Sequence, residues 1–167
     1  MRVKESRTRL SRARAIFLAL YALLLGTYLY HGFQPYPVDA SADIRLHIPE
    51  IHLSAPVNDV SKVDARIEVP EVIAGAYSEN PYKTLLVGHS NTVFSRLGDL
   101  NIGDEITFDS QAYRITRIIT EEKSQIDMSD ILAPASTPTI ILMTCTGAHI
   151  RGHDYTHRLI ITATATD

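Results

Sequence analysis

The chain has 167 residues, enough for one domain, and its 45% hydrophobic and 21% charged residues are an ordinary balance for a protein that buries a core. This composition excludes disorder as the main character of the chain. The net charge of −3 hides an asymmetry, because residues 1–14 carry six basic residues and one glutamate, so the rest of the chain carries −8. An acidic remainder without a basic patch argues against binding to nucleic acid.

The first predicted element is an apolar membrane helix. Residues 15–30 read AIFLALYALLLGTYLY, residues 31–33 extend the run to the length of a bilayer crossing, and Pro35 and Pro37 end it. Because the basic residues precede the run, the positive-inside rule leaves residues 1–14 in the cytoplasm. We therefore predict a single-pass cell-membrane protein with an anchor at 15–33, a linker at 34–43 and an extracellular domain at 44–167. A cleaved signal peptide is the alternative, since Ala40-Ser41-Ala42 has the small-x-small form, although this site lies about ten residues beyond the apolar run, further than is usual.

The rest of the chain predicts an all-β domain. Short β-like runs alternate with turn residues, and no long stretch has helical periodicity. The predicted strands cover residues 44–47, 51–57, 84–87, 105–108, 113–119, 139–144 and 158–164. We predict a hairpin turn at 109–112, a short helical turn at 93–100, and mostly loop with room for one short helix at 61–81. Seven or eight short strands favour a barrel or a sandwich.

Two reactive residues are predicted at strand ends. Cys145 is the only cysteine of the chain and directly follows the predicted strand 139–144. A single cysteine in an exported protein has no internal disulfide partner. Without further evidence, such a cysteine is interpreted as a small buried apolar side chain. His89 follows the apolar run at 85–87 in the same way, after Gly88. The thiol and the imidazole are therefore both predicted where a strand meets a loop.

These residue types suit nucleophilic attack on an amide. The attack needs a thiolate, and the departing amine then needs a proton, which an imidazole can donate. The tetrahedral intermediate needs positive charge or hydrogen-bond donors at its oxygen, and an arginine keeps its charge at every physiological pH. Arg158 opens the last predicted strand, on the face opposite to Leu159 and Ile161. Spacing alone does not prove such a site in a chain with seven histidines.

Short motifs around these residues resemble those of sortases. The sequence LMTC at 142–145 is similar to their L-x-T-C motif, and VGHS at 87–90 contains their G-H-S. The sequence FSRLGDL at 94–100, followed by GD at 103–104, is similar to the family's F-x-x-L-x-x-L and G-D pattern. HRLI at 157–160 resembles the strand that carries the family's arginine, and LHIP at 46–49 resembles its early I-P element. Order and spacing agree, and the resemblance covers residues 44 to 167 together with the anchor.

The resemblance implies a fold, an activity and partners. The fold is a closed eight-stranded β-barrel with one or two short helices. Cys145 would attack the threonine carbonyl of an LPXTG-like sorting motif and form a thioester, with His89 as the proton-transfer partner and Arg158 as the oxyanion stabiliser. The acyl group would pass to an amine of a cell-wall precursor or a pilin lysine. The partners would be secreted proteins with a C-terminal sorting signal, and no cofactor or metal is expected.

The chain also departs from the family pattern. Ile141 stands where threonine is frequent, and the segment 121–138 before the cysteine strand is short. The chain has no tryptophan, and no lid segment is recognisable, which does not favour pilin polymerisation. Glu121 and Glu122 are too few carboxylates for a calcium site and predict a solvated turn.

Three other interpretations stay open on the sequence. His149, His153 and His157 recur every four residues beside Asp154, which on a helix would suit zinc, although Gly147 and Gly152 favour a loop. The second interpretation is a membrane-tethered β-barrel binding module without chemistry, and the third is a cysteine hydrolase that passes the acyl group to water. Chelator sensitivity distinguishes the metalloprotein, and product analysis with and without an amine distinguishes the hydrolase.

Overall fold

The computed structural model describes residues 17, 19–26, 44–64, 66–152 and 154–166. The chain divides into two compact units, residues 1–39 and 40–167. Residues 17 and 19–26 of the first unit are helical. Among the described residues, no helix has both the length and the apolarity needed to cross a bilayer. The predicted basic segment 1–14, the linker 34–43 and most of the predicted anchor 15–33 lie outside the described residues.

The second unit is built from short strands and a few helical turns. Its strands are β1 (Ile44–Ile48), β2 (Leu53–Asp59), β3 (Lys62–Val63), β4 (Arg66–Ile67), β5 (Ala74–Asn80), β6 (Lys83–Val87), β7 (Glu105–Phe108), β8 (Gln111–Glu122), β9 (Thr139–Arg151) and β10 (Asp154–Ala165). Three 3-10 helices cover Pro49–Ile51, Leu97–Asp99 and Lys123–Gln125, and one α-helix, α1, covers Met128–Leu132.

Eight of the strands close into a barrel. Their order around the barrel is β1-β2-β5-β6-β9-β10-β8-β7, while β3 and β4 form a separate two-stranded sheet. β2 pairs with β5 and β6 pairs with β9 in parallel, and the other neighbouring pairs are antiparallel. The predicted closed eight-stranded barrel is confirmed. β9 lies between β6 and β10, so these three strands form one continuous surface.

The inward face of every barrel strand contributes to one apolar core. Alternation along each strand sends every second side chain inward. In β10, Leu159, Ile161 and Ala163 are at most 9% exposed and belong to this core, as the alternating pattern predicts. The helical turn after β6 adds Phe94, which is 1% exposed, to the same core. The inner cluster also includes Leu46, Ile48, Val57, Ala74, Leu86, Ile106, Ile115, Ile140 and Leu142.

The outer face of β6, β9 and β10 carries a second apolar cluster. Its buried members are Leu85, Val87, Ile141 and Ile160. The connection between β8 and β9 packs against it through residues that include Ile126, Met128, Ile131 and Leu132. α1, in this connection, begins at the N-cap Asp127, whose side chain accepts a hydrogen bond from the backbone N–H of Ser129 at 2.8 Å. The Ser129 hydroxyl also donates to this carboxylate, at 2.7 Å. The hydrogen bond from the hydroxyl first, and then that from the backbone N–H, hold the pKa of Asp127 below its ordinary value.

Some predicted elements differ from the structure. Residues 74–80, predicted as loop, form β5, because the weak β-propensity of Ala74-Gly75-Ala76 is overridden by pairing with β2 and β6. A side chain at Gly75 would approach Pro70 and Val60 to 2.9 Å, so this close packing explains the glycine. The predicted strand at 51–57 begins only at Leu53, since Pro49 starts a 3-10 helix.

The strand that carries the cysteine is longer than the predicted strand. β9 runs past Cys145 to Arg151, and β10 begins at Asp154 rather than at Arg158. The cysteine therefore lies within a strand, and the prediction of a strand-to-loop junction at this residue is wrong. The polar and glycine-containing sequence TGAHIR after the cysteine has little β-propensity, and it is held as a strand by cross-strand pairing with β10.

Candidate active site

Cys145 lies on the outer face of the barrel. Ile141 and Met143, two and four residues before it in β9, both belong to the outer apolar cluster. Because side chains of a strand alternate between its two faces, the thiol continues that outer row. The Cys145 side chain is partly buried, so it is both accessible and partly shielded from water.

Arg158 is the residue directly opposite Cys145. The two are register partners in the antiparallel pairing of β9 with β10. Directly opposite residues share a face, with their Cβ atoms about 4.5–5.5 Å apart. The guanidinium and the thiol are therefore attached at adjacent points of the same outer surface, although the residues are 13 positions apart in the chain.

The Arg158 side chain is held by backbone and carboxylate oxygens. Its Nη1 donates to the carbonyl oxygens of Tyr155 and His157 at 3.0 and 2.9 Å, and its Nη2 donates to Oδ1 of Asp154 at 3.3 Å. The side chain is 17% exposed. A planar fork of donors held at a few fixed acceptors keeps a defined orientation.

His89 reaches the same place from the other flank of β9. β6 pairs with β9 in parallel and ends at Val87, which lies opposite Met143; His89 is two residues past Val87, and Cys145 is two residues past Met143. The hydroxyl of Thr144, within β9, donates to the carbonyl oxygen of Gly88 at 2.8 Å and links β9 to the residue that follows β6. The three predicted site residues therefore lie at neighbouring backbone positions, with Cys145 between Arg158 on β10 and His89 just past β6.

The turn after His89 fixes the backbone of that residue. The His89 carbonyl oxygen accepts hydrogen bonds from the backbone N–H groups of Thr92 and Phe94, at 3.2 and 3.1 Å. A side chain at Gly88 would come within 2.8 Å of Phe94 and within 2.6 Å of Val93. Glycine is thus required before the histidine because the core residue Phe94 packs directly on the backbone.

An irregularity in the β9–β10 hairpin lies next to the cysteine. Residues 146 to 149 of β9 face only residues 155 to 157 of β10, so β9 contains an extra residue there. Gly147 has a φ of +83°, and a side chain on it would meet the Thr156 hydroxyl at 2.6 Å. Such bulges bend a strand and redirect side chains, and they are frequent beside active sites. Here the bulge starts two residues after the cysteine.

A groove lies on the outer face of the sheet, beside the β8–β9 connection. A cavity of about 460 Å³ separates the sheet from the β8–β9 connection. Its apolar lining comes from Ile119, Ile141 and Ile160 of the sheet and Ile126 and Ile131 of the connection. Glu121, which also lines the cavity, is the register partner of Arg158 on β8. Cys145, His89 and Arg158 do not line the groove, which reaches the Arg158 row of the sheet only at Glu121.

The alternative of a zinc site is not supported by the described residues. None of them form a group of three or more His, Cys, Asp or Glu side chains placed to hold a metal ion. His149 and His157 lie on strands rather than on a helix, and His153 lies outside the described residues. Nε2 of His149 is 2.7 Å from the carbonyl oxygen of Gly152, and Nδ1 of His157 is 2.8 Å from the Thr156 hydroxyl. Glu121 and Glu122 end β8, and the predicted turn begins only after them.

Comparison with known proteins identifies the family. A model of the sortase domain matches residues 46–166. The chain belongs to the sortase family. Its members are cysteine transpeptidases, and the predicted family is thereby confirmed. No curated protein sequence matches the chain significantly.

Solved sortase structures have the same fold. A lid mutant of sortase A from Corynebacterium diphtheriae is 24% identical, with a TM-score of 0.57 over 78% of this chain and 74% of that one. Sortase C from Clostridium perfringens SM101 is 19% identical, with a TM-score of 0.55 over 75% and 71%. Sortase C1 from Streptococcus suis is 22% identical, with a TM-score of 0.55 over 75% and 74%. The likeness extends to the barrel as a whole.

Sequence reasoning missed the residues that support the site. In the sequence, Asp154 stands out only as a neighbour of three histidines, and no pattern indicates a role for Lys123 or Thr144. Asp154 contacts Arg158 and Lys123, and hydrogen bonds from Lys123 first, and from Arg158 to a lesser degree, hold the pKa of Asp154 below its ordinary value. These contacts depend on strand register, which no local pattern in the sequence specifies.

Replacement of Thr144 by valine tests the hydrogen bond between its hydroxyl and the Gly88 carbonyl. The hydroxyl is lost and the buried Gly88 carbonyl loses its partner, so we expect the free energy of unfolding to fall by about 1–3 kcal/mol. Because Gly88 precedes His89, we also expect acyl transfer to slow. Chemical denaturation and a peptide-cleavage assay measure the two effects. Thr166→Val is the control, since its hydroxyl also donates to a backbone carbonyl, that of Ala112 at 3.4 Å, and Thr166 does not line the groove; its activity is expected to stay at the parent level. Equal activity of both variants would contradict a role for the Thr144 bond.

Proposed function

We propose that this sortase cleaves an LPXTG-like sorting motif through a thioester on Cys145 and transfers the acyl group to an amine. The observation that carries this proposal is the register pairing of Cys145 with Arg158 on the outer face of the barrel. A nucleophile and a permanent cation on adjacent strands suit attack on a carbonyl whose oxygen becomes negative. In this proposal, secreted proteins with a C-terminal sorting signal supply the acyl group.

The reaction proceeds in two steps. The Cys145 thiolate attacks the threonine carbonyl carbon, and Arg158 stabilises the charge on the oxygen. The tetrahedral intermediate collapses as the bond to the glycine nitrogen breaks and His89 gives that nitrogen a proton, which leaves a thioester. An incoming amine then attacks the thioester carbonyl, loses a proton to His89 and releases the thiolate as the new amide forms. A cell-wall precursor or a pilin lysine supplies this amine.

In this proposal the motif lies along β9 and reaches the groove with its leucine. Four extended residues span about 13 Å, which is also the distance covered by four residues of a β-strand. A peptide whose threonine carbonyl lies at Cys145 therefore reaches the row of Ile141 with its leucine if it runs along β9. Ile141, Ile160, Ile119 and Ile131 make that part of the groove apolar, which favours burial of a leucine side chain.

Incubation of the full-length protein with a library of LPXTG-like peptides and an amine tests the proposal. The amine is triglycine in one arm and a lysine peptide in the other, and mass spectrometry follows both products. An amine-linked acyl product that requires the amine supports a transpeptidase. Cleavage with water as the only acceptor would indicate a hydrolase, and no cleavage of any peptide would favour a binding module.

We also propose that residues 15–33 anchor the enzyme in the cell membrane, with residues 1–14 in the cytoplasm and the barrel outside. Support comes from the uncharged apolar run and the basic residues that precede it. After cell fractionation, the full-length protein is expected in the membrane pellet, and protease added to intact protoplasts is expected to degrade the barrel. Recovery of a shortened protein from the medium would contradict the anchor and indicate cleavage near residue 42.

A further inference from the structure

A network of hydrogen bonds centred on the Asp154 carboxylate lies next to Arg158. Asp154, at the start of β10, accepts hydrogen bonds from Nζ of Lys123 at 2.8 Å on Oδ1 and 2.9 Å on Oδ2. The backbone N–H of Tyr155 also donates to Oδ1, at 3.1 Å. Lys123 is the first residue after β8, so this ion pair connects the β8–β9 connection, which forms one wall of the groove, with the β9–β10 hairpin. The carboxylate that meets Arg158 is thus itself fixed from two sides.

The hydrogen bonds of the Arg158 guanidinium involve both of its Nη atoms. Two hydrogen bonds at Nη1 go to backbone carbonyls, and one at Nη2 goes to Asp154. A planar guanidinium with two parallel donors matches an oxygen that gains negative charge. Because the guanidinium is planar, holding both Nη atoms also fixes the direction of its Nε–H.

A second carboxylate-bearing residue lies opposite Arg158 on β8. Glu121 is the register partner of Arg158 on β8, and it lines the groove. Within the described part of the chain, the ion pair of Arg158 is formed with Asp154, and none is formed with Glu121. A pairing with Glu121 would draw the guanidinium toward β8 and away from β9, where the cysteine lies.

We propose that Asp154, itself held by Lys123, is a positioning residue that keeps the Arg158 guanidinium directed toward the reaction site at Cys145. The catalytic consequence rests on the proposed transpeptidase function. A charge-assisted hydrogen bond with a fixed carboxylate lowers the rotational freedom of the arginine before the substrate binds. Asp154 does not contact the reacting atoms in this proposal, and it acts only through Arg158.

Substitution of Asp154 in the full-length protein tests the catalytic part. Asp154→Ala is expected to lower kcat about tenfold, and Asp154→Asn, which keeps an acceptor oxygen without the charge, about threefold, with KM within about twofold of the parent value. Glu105→Ala is the matched control. It removes a carboxylate that pairs with Arg114 at 2.6 Å near the opposite end of β8, and its kcat is expected to equal that of the parent.

An added Arg158→Lys substitution shows whether the effect passes through the arginine. In that background Asp154→Ala is expected to lower kcat by less than about twofold, because residues that act as a unit are not additive. A full tenfold loss in both backgrounds, or kcat equal to that of the parent in the Asp154→Ala single variant, would overturn the proposal.

A spectroscopic measurement gives an answer that does not depend on activity. In ¹⁵N-edited NMR spectra, the Nε–H signal of Arg158, assigned by its loss in Arg158→Lys, is expected to be resolved in the parent and in Glu105→Ala. It is expected to broaden or disappear in Asp154→Ala. An unchanged signal in that variant would overturn the positioning role even if the enzyme turned over no peptide. If the signal is lost but no peptide reacts with the parent, the proposed function fails and the positioning role stands.

Discussion

Replacement of Cys145 by alanine is expected to abolish peptide cleavage and amine transfer. Alanine has no nucleophile, and loss of a covalent nucleophile typically lowers the rate by about 10³-fold or more. The side chain is small and only partly buried, so the free energy of unfolding is expected to change by less than about 1 kcal/mol. A fluorogenic cleavage assay and thermal denaturation measure the two quantities on the same preparation.

The single cysteine makes this prediction easy to control. Cys145 is the only thiol that iodoacetamide can alkylate, so the lost fraction of activity should equal the fraction alkylated at Cys145 as seen by mass spectrometry. A chelator should leave the parent fully active. Cleavage that persists in the alanine variant, or that disappears with a chelator, would contradict a thiol mechanism and would favour a metal-dependent one.

Replacement of Arg158 by lysine is expected to lower kcat/KM by about 10²-fold or more while the barrel stays folded. Lysine keeps the positive charge but has no planar fork. It therefore cannot maintain the contacts of Arg158 with two carbonyls and Asp154 and also offer two parallel donors to the substrate oxygen. Steady-state kinetics with a fluorogenic sorting peptide measures the change.

Arg114→Lys is the matched control for this variant. Arg114 also lies on a barrel strand and also contacts both a carboxylate and a carbonyl, Glu105 at 2.6 Å and Gly103 at 3.1 Å. It pairs with Thr164, six residues along β10 from Arg158. The control is expected to retain parental kinetics. If Arg158→Lys stays within about threefold of the parent, charge alone is sufficient and the oriented donors are not needed.

The barrel could be predicted from the sequence because most of its strands are apolar on at least one face. Runs such as residues 84–87 and 139–144 are buried on both faces, inward in the core and outward under the β8–β9 connection, and this explains their continuous apolar character. β5 could not be predicted in this way. Its Ala-Gly-Ala start has small side chains, and its strand conformation comes from its two neighbours and from close packing on Val60 and Pro70.

The candidate residues could be predicted, but their arrangement could not. Motifs selected Cys145, His89 and Arg158, yet the 12 residues between the cysteine and the arginine allow many registers. The extra residue at the Gly147 bulge determines that Arg158, and not a neighbour, lies opposite the cysteine. The contacts of Asp154 and Lys123 follow from the same register, and this is why no sequence motif indicated them.

Intact-mass spectrometry of the full-length protein tests the central claim most directly. The protein is mixed with an LPXTG-like peptide, quenched in acid, and measured before and after addition of triglycine. The account predicts an added mass equal to the peptide acyl group on Cys145, which the amine removes as a peptide-triglycine product forms, and no adduct on Cys145→Ala. An adduct equally present on Cys145→Ala, or turnover of the peptide without any acyl-enzyme on the parent, would contradict it.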